Sequence, residues 1–248
     1  MDLFVVAPHV LVGGLALAFY GRTALAAKGS RPHRRWGRFY LVILFPLLAS
    51  VVPISLHPSG GDPARIVQIL YLGLVLGTAG WTAWRAVRDR SSPERFRGPV
   101  FRTLAVAMAA GGTALMAIGI VKGNVLTVGF AVIGIVYGGA MLGELGRPAT
   151  PDWWLNWHLN GVALLFAATH ASFVGLLMRS AVPDHAGESM HALTQLGTIA
   201  FAYGLRQWLG RRYGYLSERE PTAPIGGSEG HPPDTRALSP LSAAGSSG

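Results

Sequence analysis

The hydrophobic positions of this chain come in long blocks. Apolar runs of about 18–25 residues, the length a helix needs to cross about 30 Å of hydrocarbon, are separated by short polar or basic segments. The runs fall at residues 3–27, 39–56, 65–84, 100–121, 125–145, 153–178 and 190–209. This pattern predicts an all-α fold, a polytopic transmembrane helix bundle of seven spans. The fourth and fifth runs would merge into one segment but for Lys122-Gly123-Asn124. Their combined length, about 45 residues, is too great for one span, so a tight hairpin is expected there. Pro46 and Pro53 remove backbone donors inside the second span and are expected to kink it, which membrane helices tolerate where neighbours satisfy the freed carbonyls.

The block pattern ends near Ser217. Residues 217–248 are rich in Pro, Gly and Ser with few large apolar side chains, so they cannot bury a core and are expected to be a disordered tail. The chain therefore divides into a transmembrane domain, 1–216, and a cytoplasmic tail, 217–248. The first run has no basic residue before it and a basic cluster after it, the reverse of a secretory signal. It reads as a retained helix with an exported N-terminus.

Composition supports the membrane reading. Only 13% of residues are charged, against about a quarter in soluble domains, and the 33 glycines suit membrane helices, where small residues let backbones approach. The net charge of +9 does not point to nucleic acid, because the basic residues lie beside the spans. With seven spans, one side holds Lys28, Arg31, Arg34, Arg35, Arg38, Arg85, Arg88, Arg90, Arg95, Arg97, Arg102, Arg147, Arg211 and Arg212. The other holds Arg65, Lys122 and Arg179. The positive-inside rule then places the N-terminus out and the C-terminus in. Cysteine is absent, which excludes disulfides, thiolate metal sites and cysteine nucleophiles.

Ionisable residues inside spans carry the candidate chemistry, because each is costly there. Arg22 and Arg206 lie near the cytoplasmic ends of their helices and can snorkel to the headgroups. His9 lies about 9 Å into the first run and His170 about 13 Å in from the same exported side, at 1.5 Å per residue. His191 opens the last span, and His57 and His185 fall in exported loops. Neutral imidazole is the commonest metal ligand and the usual axial haem ligand. His9 and His170, with His191, therefore form the first candidate site, for haem b or a divalent metal. Alternatively, each histidine hydrogen-bonds a carbonyl or a hydroxyl such as Ser172 within the bundle. A second polar cluster, His33, Glu144 and His158, lies on the cytoplasmic side. It could relay protons or bind a cation, or Glu144 could simply pair with Arg147 or another arginine. His158 and His170 are twelve residues apart, about 3.3 turns, so they do not share the face that two stacked haems would need.

Phosphate-binding glycine loops, G-x-S-x-G and H-E-x-x-H are absent. Ala109 to Gly112 and Gly134 to Gly139 read as packing surfaces, and Trp153, Trp154 and Trp157 as an interfacial aromatic belt. The segments 30–39 and 92–99 share basic, aromatic and glycine content, as a duplicated hairpin or two converging cytoplasmic loops would.

Pro8-His9, Lys28-Gly29, the segment Pro32-His33-Arg34-Arg35-Trp36-Gly37-Arg38-Phe39-Tyr40, and Trp157-His158 through His170-Ala171-Ser172 together cover about a third of the chain. In these it resembles an uncharacterised family of bacterial membrane proteins, one of the domains of unknown function. The resemblance implies a multi-pass protein of the bacterial cytoplasmic membrane and brings no activity with it. Four functions stay open: electron transfer or metal handling at a histidine site, small-solute or ion transport, an accessory or assembly role in a homo-oligomer or membrane complex, and zinc-dependent hydrolysis. The lipid bilayer is the expected partner.

Overall fold

The computed structural model describes residues 3–56, 63–182 and 187–213. The tail 217–248, His57, His185 and His231 lie outside them. Among the described residues the chain is all-helical: α1 (Leu3–Leu25), α2 (Arg31–Leu56), α3 (Pro63–Arg88), α4 (Pro93–Phe96), α5 (Pro99–Lys122), α6 (Val125–Glu144), α7 (Trp153–Ala181) and α8 (Glu188–Arg212). Among the described residues, five stretches are long and apolar enough to cross a membrane: Arg31–Ile54, Ile66–Arg88, Pro99–Lys122, Val125–Glu144 and Trp153–Met178. A bundle of such helices is a multi-pass membrane protein. α1 and α8 have the length, 23 and 25 residues, and α8 is the more polar of the two.

Local chemistry sets the turns. Gly123 closes α5 in the left-handed region, at φ 62°, where glycine pays no Cβ penalty. Asn124 then caps α6 by accepting the Thr127 N–H at 2.8 Å. The hairpin at Lys122-Gly123-Asn124 is thus two capping motifs back to back. At the other end, Gly29 turns the chain at φ 74° and the Ser30 hydroxyl accepts the His33 N–H. Pro32 occupies the first turn of α2, where no donor is needed. α2 therefore begins at Arg31, eight residues before the second apolar run, and the basic segment 31–38 is helix, not loop.

Small residues join the helices. A Cβ on Gly112 would stand 2.8 Å from the Ile135 nitrogen, and one on Gly138 would stand 2.6 Å from the Ala109 nitrogen, so α5 and α6 meet backbone to backbone. α3 runs through the centre, packing against α2, α5 and α7. At the end bearing α4, Phe96 inserts between Phe101 and Trp153, its ring centre 4.9 Å from each. Trp153 and Trp157 are only 5% and 2% exposed. They form a core with Phe96, Phe101, Ala105 and Met141 and not an interfacial belt, because the single turn of α4 covers them.

Candidate functional site

The site grows from one close approach. Gly161 lies against Ala79 and Ala83 of α3, bringing α7 near enough for the ring of His158, three residues earlier, to reach across. His158 Nδ1 lies 2.8 Å from the Ala83 carbonyl oxygen. A carbonyl only accepts, so Nδ1 carries a proton. At the start of α2, His33 does the same: its Nδ1 donates to the Thr23 carbonyl of α1 at 3.0 Å. The two imidazoles meet with ring centres 6.5 Å apart at an interplanar angle of 69°. Two rings from different helices are thus each oriented through Nδ1 by a backbone carbonyl, in the manner of metal-ligating histidines, which leaves Nε2 as the ring nitrogen that could meet a ligand. Nearby, Lys28 donates to the Ala24 carbonyl at 2.5 Å, and its charge acts on His158. Partial desolvation holds the Lys28 ammonium below the ordinary lysine value.

Glu144 belongs elsewhere. It pairs with Arg97, whose guanidinium also donates to the Arg147 carbonyl at 2.8 Å. The pair ties the end of α6 to the segment between α4 and α5, and leaves His33 and His158 as the associated members of that cluster.

His9 and His170 are not brought together. His9 Nδ1 donates to the Ser50 hydroxyl of α2 at 2.9 Å, while that hydroxyl donates to the Leu47 carbonyl. His170 stacks on Phe166 at 4.0 Å and meets the edge of Tyr20 at 5.1 Å. Tyr20 is eleven residues beyond His9 along α1, about 16 Å at helical rise, so each ring has its own surroundings. His170 Nδ1 donates to the Phe166 carbonyl at 3.0 Å. Beside it Tyr40 donates to the Leu165 carbonyl and Thr169 back-bonds to the same oxygen. His191 of α8 faces Gly175 of α7. Among the described residues, no three His, Asp or Glu side chains gather closely enough to hold a metal ion.

Two polar features escaped the sequence reading. Arg206 of α8 donates to Asn160 Oδ1 at 2.7 Å and to Asn156 Oδ1 at 2.6 Å, so it turns into the bundle instead of snorkelling outward. The signal was there: asparagines four residues apart in an apolar run share one helix face. Asp89, only 3% exposed, pairs with Arg85 at 2.6 Å one turn before it. Arg22, by contrast, stays at the helix end, its guanidinium carbon 5.1 Å from the centre of the Trp36 ring.

Comparison with protein-family models, curated proteins and solved structures finds no match, and the functional reading rests on the side chains themselves.

Proposed function

We propose that this chain is a seven-span protein of the bacterial cytoplasmic membrane that binds a transition-metal ion exchangeably through His33 and His158. The N-terminus lies outside and the basic end inside, as the distribution of Lys and Arg requires. The observation that carries the metal reading is the shared orientation of the two imidazoles, each with Nδ1–H on a carbonyl, so that only Nε2 remains to meet an ion. Two rings sharing one ion, with about 2.0 Å to each nitrogen, stand about 5–6 Å apart centre to centre, close to the 6.5 Å found. Imidazole suits zinc, copper, iron and nickel. Two protein ligands, with water or a carried anion completing the shell, suit handling more than permanent storage. The Lys28 charge works in the same direction, because it opposes tight retention of a dication.

The test is metal content after loading the detergent-purified protein with Zn²⁺ or Cu²⁺ and desalting. About one equivalent is expected, lost in His33→Ala and in His158→Ala, and kept in His9→Ala and His170→Ala. Equal retention in all five proteins overturns the assignment. A visible band that shifts on dithionite reduction would replace the ion by haem. A protein that binds neither would leave transport or an accessory role in a membrane complex.

A further inference from the structure

The α1–α2 hairpin has a charge problem that its own residues do not solve. From residue 3 to residue 56 it holds Arg22, Lys28, Arg31, Arg34, Arg35 and Arg38, and no Asp or Glu. The ion pairs Arg85–Asp89 and Arg97–Glu144 both lie outside this hairpin. Two of the arginines are held by aromatic rings. The guanidinium carbons of Arg22 and Arg35 lie 5.1 and 5.9 Å from the centre of the Trp36 ring, and Arg35 is also 5.7 Å from that of Phe39. Phe19 stacks on Trp36 at 5.7 Å and 26° and lies 5.7 Å from Phe39. The aromatic floor limits the freedom of both side chains, so less rotamer entropy is lost when they take a ligand. Below this floor the surface turns apolar along the same helix faces. Leu15, Phe19 and Arg22 follow one another at helical spacing on α1, as do Arg35, Phe39 and Val42 on α2. Leu15, Phe39 and Val42 are 50%, 41% and 64% exposed.

We infer that this face binds one anionic phospholipid, its phosphodiester between Arg22 and Arg35 and an acyl chain along Phe39, Val42 and Leu15. Arginine is suited to phosphate because its planar fork donates two parallel hydrogen bonds. The apolar stripe beneath the charges favours a lipid over free phosphate, because a free anion would have no use for it. The site is separate from the histidine pair and does not depend on metal binding.

Native mass spectrometry of the delipidated full chain, titrated with phosphatidylglycerol and with phosphatidylcholine, tests this. One phosphatidylglycerol adduct is expected, preferred by about tenfold or more, the combined strength of two arginines near an anionic headgroup. The double variant Arg22→Gln/Arg35→Gln should lose the preference, while Arg212→Gln, at another tryptophan of the basic end, should keep it. If the double variant does not fold, Arg22→Lys/Arg35→Lys keeps the charge and loses the fork, and is expected to weaken the adduct. Equal binding of the two lipids by the parent protein overturns the inference, as does an undiminished preference in both double variants. Displacement of phosphatidylglycerol by millimolar inorganic phosphate would assign the site to the free anion instead, and also overturns it.

Discussion

Gly161 of α7 and Ala83 of α3 touch through their backbones: a Cβ on the glycine would stand 2.8 Å from the Ala83 nitrogen. The same alanine offers its carbonyl to His158. One contact therefore sets both the distance between two central helices and the tautomer of a candidate ligand. Packing and site chemistry are one feature at this point, and a single methyl group can probe them together.

Gly161→Ala should separate α3 from α7. The obstructing atoms are backbone, 2.5 Å away at the Ala79 oxygen, so no side chain can swing aside. Overpacking of this kind costs about 1–3 kcal/mol, and the His158 hydrogen bond should lengthen with it. Thermal unfolding in detergent and metal content after loading both report the change. Unaltered stability together with parental metal content would mean that α7 does not need this approach.

Gly134→Ala should act on the other side of α3. Its new methyl group would overlap the Tyr71 hydroxyl and approach the Met108 oxygen to 2.8 Å, while Tyr71 is held by its bond to the Phe130 carbonyl at 3.1 Å. A loss of about 1–3 kcal/mol is expected. Adding Tyr71→Phe removes the overlapping oxygen and should recover part of the loss. Strict additivity of the two substitutions would show that the hydroxyl is not the obstacle.

Arg97 and Glu144 should prove coupled. Their side chains are only 14% and 12% exposed, so solvent screens them less than a surface pair. A double-mutant cycle with Arg97→Gln and Glu144→Gln should give a coupling of at least about 1 kcal/mol, read by thermal unfolding. A coupling near zero would place the pair among ordinary surface contacts.

Helix existence was legible because the apolar runs are long, and Lys122-Gly123-Asn124 carried its turn in its own residue types. The start of α2 is not legible from hydropathy, because a capped helix can extend beyond its apolar run, as it does from Arg31 to Arg38. The depth of His9 and His170 was counted from the ends of separate runs, which share no common origin. The ring contact between His170 and Tyr20 supplies that origin and separates the two histidines. Likewise, the pattern groups His33, Glu144 and His158 on one side of the membrane, but only packing separates them: α7 on α3 sets His158 beside His33, whereas Glu144 pairs with Arg97. Which helices are neighbours is a tertiary fact, and the site depends on it.

Arg206 should be the residue that holds α8 in the bundle. α8 carries Gln195, Gln207 and Arg206, and its hydrophobic drive toward lipid is the weakest of the long helices. Its guanidinium is held by Asn156, Asn160 and Gln207 at 2.6–2.7 Å, and charged-group hydrogen bonds are each worth about 1.5–3 kcal/mol. In Arg206→Leu the helix becomes more apolar, yet two asparagine oxygens inside α7 lose their donor. If apolarity decided the outcome, this variant would be more stable than the parent. If satisfaction of these amides decides it, stability falls and protease access to α8 rises. The second outcome is expected, and Asn156→Leu/Asn160→Leu in the same background should restore part of the loss by removing the acceptors that Arg206 had served. Failure of that rescue, with α8 still protease-sensitive, would show that Arg206 acts through groups other than these two asparagines.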